Sequence, residues 1–234
     1  MVLQDNKERC ATGIPGFDNL CSGGFIDDSL NLVLGNAGAG KTTFLLQFLY
    51  NGAIKFKENG LYVSFEQDVA DLYRTGKKQG MDFEKLASDE KCEIVKFDPN
   101  LSVKELQKEL IKKVAKNDIK RICFDPINVF SLKLPKEISL REQLYDFLSL
   151  LKKLDVCVVI AGESDGEDGE SGHDISPEIS FCRYLSDGVI ELFSSGISGS
   201  GDRAIRVTKM RLTNHKRGPV GMEINDMGIK VLKI

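Results

Sequence analysis

Residues 35–42 read GNAGAGKT, and this octet decides the fold. It follows the apolar run Leu30–Leu34 (LNLVL), which reads as a buried strand. Thr42 to about Lys57 follows it, with apolar residues at Phe44, Leu45, Phe48, Leu49 and Ile54 spaced as on a helix. Gly35, Gly38 and Gly40 allow a tight loop whose N–H groups turn inward without Cβ obstruction. Asn36, Ala37 and Ala39 complete the loop, and Thr43 follows it on the helix. A helix beginning near Lys41 points its positive end at whatever the loop encloses. Strand, glycine loop and helix in this order form a phosphate-binding site, with Lys41 reaching the β- and γ-phosphates and the Thr42 hydroxyl a ligand for Mg²⁺.

Outward from the loop, strands alternate with helices. GLYVSFE (60–66) reads as a strand, with Asp68 capping a helix that runs to about Lys78. EIVKF (93–97) precedes a helical pattern over Val103–Ala115. Ile119–Asp125 (IKRICFD) is the next strand. An amphipathic helix over Leu140–Leu154 then leads to a fifth strand, Val156–Ala161. Such alternation predicts an α/β fold with a mostly parallel sheet covered on both faces. The last quarter differs. GVIELF (188–193), AIRVTKMRL (204–212) and the tail after Gly221 leave no room for crossover helices, so an antiparallel β extension on one sheet edge is expected. Residues 162–175, GESDGEDGESGHDI, are too polar to pack and read as an acidic flexible loop in a single domain spanning 1–234.

The 234 residues carry a formal net charge of −3, with 41% hydrophobic and 29% charged residues, an ordinary globular composition. That charge disfavours nucleic acid as a partner without excluding a local basic patch. The opening MVLQDNKERC lacks the apolar core of a secretory leader. No apolar run approaches the ~18 residues of a membrane span, so no membrane association is expected. The six cysteines never fall as CxxC; Cys10 and Cys21 admit a metal site or a disulfide, but reduced thiols in a cytoplasmic chain are the stronger reading.

A nucleotide site needs a second anchor for Mg²⁺, and Asp125, closing an apolar strand, is the candidate. Ligands of open α/β sheets lie at the carboxyl ends of the strands. Glu66 and Glu163 both stand there. Glu66 is favoured as the base that activates water, because it follows the strand next in chain order.

The succession TGIPGFDNLCSGGF (12–25), GNAGAGKTT (35–43), YVSFEQ (62–67), RICFDP (121–126), LSDGVIEL (185–192) and KMRLTNH (209–215) resembles a single KaiC-type domain of the RecA-like ATPases. The resemblance implies a RecA-like three-layer fold, Mg-ATP hydrolysis and a homo-oligomeric, hexameric ring with nucleotide at the subunit interfaces. It implies that Lys209 and Arg211 act on the neighbouring subunit's nucleotide and that His215 lies near it. Alternation in RVTKMRL would set Lys209 and Arg211 on one strand face; a charged edge strand that discourages aggregation is the plainer reading of the same residues.

Two departures stand out. The family commonly carries a Glu-Glu pair where this chain has Glu66-Gln67, which suggests slow turnover. Arg183 and Tyr184 occupy positions matching phospho-acceptors in the two-domain clock members, so autophosphorylation of that kind is not expected. The sequence expectation is therefore a nucleotide-driven oligomeric switch with a protein partner of unknown identity. The alternatives are a recombinase relative that binds single-stranded DNA, supported only by Lys133 and Lys136, and a nucleotide sensor with negligible turnover.

Overall fold

A computed structural model describes residues 8–98, 101–129, 140–163, 176–194 and 202–232. The central sheet has nine strands: β3 (Leu30–Gly35), β4 (Asn59–Ser64), β5 (Cys92–Lys96), β6 (Ile119–Asp125), β7 (Cys157–Glu163), β8 (Gly188–Ser194), β9 (Arg203–Met210), β10 (Val220–Asn225) and β11 (Gly228–Val231). Their order is β11-β10-β9-β8-β3-β7-β6-β4-β5. The six strands from β8 to β5 are parallel, and β9, β10 and β11 continue the sheet in antiparallel fashion. A mostly parallel sheet with an antiparallel extension is the architecture expected from the chain's patterning.

Parallel strands are buried on both faces, so alternate residues enter opposite cores. In β3, Val33 joins one core while Leu32 and Leu34 join the other; in β4, Tyr62 opposes Leu61 and Val63. Helices α2 (Lys41–Asn51), α3 (Val69–Lys78) and α4 (Phe83–Ser88) pack on the first face, together with the short α1 (Phe17–Leu20). Helices α5 (Val103–Asn117), α6 (Leu140–Leu151) and α7 (Pro177–Leu185) cover the second. The result is three layers, helix on sheet on helix.

Several elements depart from the reading of the sequence. A two-residue pair, β1 (Arg9–Cys10) and β2 (Phe25–Ile26), forms a separate small sheet. Helices α1, α4 and α7 were not anticipated, because each is shorter than the three turns over which an apolar period becomes visible. Strand β7 continues through Gly162 and Glu163, residues assigned above to the acidic loop, because Leu34 and Gly35 pair with them. The rest of that loop, 164–175, lies outside the described residues, as do Lys133 and Lys136.

The TGIPGFD stretch is a hydrogen-bonded knot. The Asp18 carboxylate accepts from the Thr12 amide (3.0 Å), the Thr12 hydroxyl (2.6 Å) and the Gly13 amide (3.0 Å). Below it lies a buried arginine. Arg121 donates to Glu58 Oε2 (2.5 Å), Phe48 O (3.1 Å) and Ala11 O (2.9 Å), and its guanidinium stacks over Phe48. Its charge is tolerated in the interior because it is paired and hydrogen-bonded. The end of α2 widens at Gly52–Phe56 to pass it; a Cβ on Gly52 would stand 2.5 Å from Arg121 Cδ. All six cysteines are free and buried, and no cluster of three or more metal-ligating side chains occurs among the described residues.

Candidate active site

The loop between β3 and α2 emerges at the carboxyl end of the central parallel strand. Gly38 and Gly40 adopt φ of 77° and 105°, in the left-handed region. At Gly40 the positive φ favours glycine, and a Cβ there would also have to displace the tip of Ile224, whose Cδ1 would stand 2.5 Å away. Gly40 caps α2 without a side-chain acceptor, which leaves the helix's first N–H groups to an anion.

Lys41 folds back over the loop. Its Nζ donates to Gly35 O (2.8 Å) and Asn36 O (3.0 Å) and stands 3.8 Å from Glu163 Oε1. Burial pulls its pKa down, opposed by the charges of Glu163 and Asp125. Asn36 is braced from the other side, its Nδ2 donating to Ser194 O. Ala39 is buried, and Thr43 Oγ1 accepts from Gln79 Nε2 at 3.1 Å.

The Thr42 hydroxyl donates to Asp125 Oδ2 at 2.8 Å, and Tyr62 donates to the same oxygen at 2.5 Å. Burial, followed by the Asp125 charge, pushes the Tyr62 phenol well above its ordinary pKa, so it remains a donor. Thr42 and Asp125 thus meet as expected, and Tyr62 is an addition. A lone tyrosine in an apolar strand gives no sequence signal of this contact.

A cavity of about 410 Å³ opens over these groups. Ala37, Gly38, Gly40, Lys41, Thr42 and Thr43 form its floor, and Asp125, Glu66 and Glu163 contribute carboxylates. Gln67, Pro126, Arg203 and Ile224 complete the wall. Arg203 and Ile224 come from the antiparallel extension, which sequence reasoning left out of the site; only the strand order brings them there. That order also alters the standing of the two glutamates. Glu163 ends β7, the immediate neighbour of β3, whereas Glu66 lies two residues beyond β4, separated from β3 by β7 and β6.

Lys209, Arg211 and His215 are absent from this cavity. Asn31, near the start of β3, pairs with Gly188, and Gly188 pairs with Met210. Lys209 and Arg211 therefore stand at the opposite end of the sheet from the loop, about 15–20 Å away along the strands. Lys209 Nζ donates to the carbonyls of Arg183 and Tyr184, both at 3.1 Å, and Arg211 Nη1 donates to Asp187 Oδ1 at 3.1 Å. Burial and the neighbouring Arg211 charge lower the Lys209 pKa. The expected single strand face is not formed. The β8–β9 register shifts between Val189 and Ile190, and the strand ends at Met210, so Arg211 lies beyond it. His215 lies in the same distal segment, its Nδ1 3.1 Å from Lys216 O.

Comparison with known proteins agrees with this geometry. A family model described as "ATPase: KaiC" matches residues 10–234. The circadian clock protein KaiC2 of Synechocystis is 30% identical over 99% of this chain and 42% of its own length. The circadian clock oscillator protein KaiC of Prochlorococcus marinus is 27% identical over 97% of this chain and 46% of its own length. The chain thus spans a little under half the length of the curated relatives it matches. Among solved structures, a KaiC-like protein from the hyperthermophilic archaeon Pyrococcus horikoshii aligns with a TM-score of 0.85 at 32% identity, covering 97% of this chain and 100% of the other. A nine-stranded RecA-like sheet, a glycine loop running into Lys41 and Thr42, and a match from residue 10 to residue 234 lead to one conclusion: the chain belongs to the KaiC family of nucleotide-binding P-loop ATPases.

Proposed function

We propose that this chain is a single KaiC-type domain that binds Mg-ATP, hydrolyses it and uses the nucleotide state to switch an oligomeric ring. The observation that carries the reading is the meeting of Lys41, Thr42, Asp125 and Glu66 around one cavity at the end of β3. In this reading the loop amides of 35–40 and Lys41 hold the β- and γ-phosphates. A Mg²⁺ ion suits the pairing of the Thr42 hydroxyl with the Asp125 carboxylate, since magnesium takes few protein ligands and completes its shell from phosphate and water. When bound, it would neutralise charge on the phosphate oxygens.

Glu66 accepts the proton of the attacking water as the bond to the terminal phosphorus forms and ADP departs. Its support is that Glu66 makes no ion pair among the described residues, whereas Glu163 faces Lys41 at 3.8 Å. Lys209, Arg211 and His215, too distant from their own loop, act on the nucleotide of the next subunit. Cations arriving from a partner stabilise charge on the transferred group.

Mixing two inactive variants tests both halves. Lys41→Ala spoils a site in cis, and Arg211→Ala spoils the neighbour's. Mixed assemblies should regain part of the wild-type phosphate release, since some interfaces pair two intact halves. If the mixture is as inactive as its components while both co-assemble, the intersubunit reading fails.

A second reading, a sensor that binds Mg-ATP with negligible turnover, draws on Gln67 standing where a second glutamate is common. Tight binding with no phosphate release above a Lys41→Ala control would favour it. The clock role of the KaiC relatives belongs to proteins about twice as long as this chain. We propose a cytoplasmic location, in keeping with six free, buried thiols. Separately, among the described residues no helix is long and apolar enough to cross a membrane.

A further inference from the structure

We infer that Tyr62 is a positioning residue of the magnesium site: its hydroxyl pins one oxygen of the Asp125 carboxylate and keeps the other free for the metal. This rests on the Mg-nucleotide reading above. Tyr62 pairs with Cys123 across the β4–β6 ladder, and Asp125 stands two residues further along β6, so both side chains lie on one sheet face. The phenol reaches that diagonal neighbour and donates to Asp125 Oδ2 at 2.5 Å. Thr42 donates to the same oxygen at 2.8 Å and also lies within hydrogen-bond reach of the phenol. A triangle of side chains from α2, β4 and β6 is thereby closed. Among the described residues no donor reaches Asp125 Oδ1.

The three partners differ in their access to a ligand. Thr42 and Asp125 line the cavity, whereas Tyr62 is fully buried behind them and is not among the lining residues. It therefore acts on a metal only through Asp125. Thr42 does not suffice for this task, because its oxygen must serve the ion and the carboxylate together. A carboxylate held by one partner turns readily about its last side-chain bond and exchanges its two oxygens. Tyr62 removes that freedom before the ion arrives. Partners that orient a metal's ligands typically carry about ten- to a hundredfold in affinity. Packing gives the hydroxyl no reason of its own: phenylalanine would fill the same place beside Cys123, and a buried hydroxyl costs free energy unless it is bonded.

The test is the affinity of the full chain for ADP, measured by calorimetry in EDTA and across a magnesium titration, for wild type, Tyr62→Phe, Asp125→Asn and the double variant. Tyr62→Phe should leave metal-free ADP binding unchanged and reduce the tightening caused by Mg²⁺ about tenfold or more. A merely structural role would move both affinities together. The double variant should bind Mg-ADP no worse than Asp125→Asn alone, since residues that act as a unit are not additive. Tyr62→His, whose ring N–H falls short of the phenol's reach, serves where Tyr62→Phe does not fold and should show the same split. Equal tightening by Mg²⁺ in wild type and the Tyr62 variants would overturn the inference, as would additive losses in the double variant. A wild-type chain that binds no ADP, or binds it without regard to Mg²⁺, is a different result: it removes the Mg-nucleotide reading itself.

Discussion

The Thr42 hydroxyl and the Asp125 carboxylate are 2.8 Å apart, joining the first turn of α2 to the end of a strand two places along the sheet. The contact makes one polar centre out of residues 83 positions apart in the chain. Replacing Asp125 by Asn keeps the volume and an acceptor for Tyr62 but removes the charge. The expected outcome is a folded protein whose phosphate release falls at least about a hundredfold, in line with losing one preorganised electrostatic element. ATPase rate across a magnesium titration checks this, and a rate unchanged at saturating magnesium would count against the role of Asp125.

The two glutamates separate by substitution. Glu66→Gln should lower kcat by about two orders of magnitude or more, the usual scale for losing a general base, with little change in Mg-ATP affinity. Glu163→Gln removes the carboxylate beside Lys41 and should act mainly on affinity. The reverse pattern would transfer the base role to Glu163.

At the amino-terminal knot, Asp18→Ala leaves the Thr12 and Gly13 amides and the Thr12 hydroxyl without their acceptor. A loss of about 2–4 kcal/mol in urea denaturation is expected, because hydrogen bonds to a charged group are among the stronger ones. Asp18→Asn should cost less.

The pH dependence of stability has a local source at Glu191. Burial alone would raise its carboxyl, but hydrogen bonds from Arg206 and Thr208 and the charges of Arg183 and Arg206 outweigh it and hold the pKa below the ordinary value of 4.5. A carboxyl depressed in the folded state stabilises the fold above its unfolded pKa, and that contribution is lost as pH falls through the folded value. Wild type should therefore exceed Glu191→Gln by about 1–2 kcal/mol at neutral pH. The gap should close below the ordinary carboxylate range. Denaturant midpoints from neutral to acidic pH measure it; a gap that stays constant would exclude Glu191 as its source.

Patterning over five or more residues made most of the sheet legible. IKRICFD coincides with β6, and the glycine loop lies between β3 and α2 as its spacing requires. The order of strands in space was hidden, because parallel neighbours are set by crossovers rather than by adjacency in the chain. Glu163 therefore ranked behind Glu66 although β7 adjoins β3. Arg203 went unread for a related reason: nothing local distinguishes a basic residue at a strand start from a solvated one. The bulge near Thr208 also escaped notice, since one extra residue shifts facing without changing composition.

Strand β9 begins at Arg203, beside its own phosphate loop, and carries Lys209 six residues on at the far end of the sheet. In a ring closed head to tail, all interfaces share one asymmetric pairing. Each subunit would then hold its own nucleotide at one tip of this strand and reach for its neighbour's from the other. Occupancy news would travel around such a ring in a single rotational sense, dictated by the direction in which β9 runs beside β8.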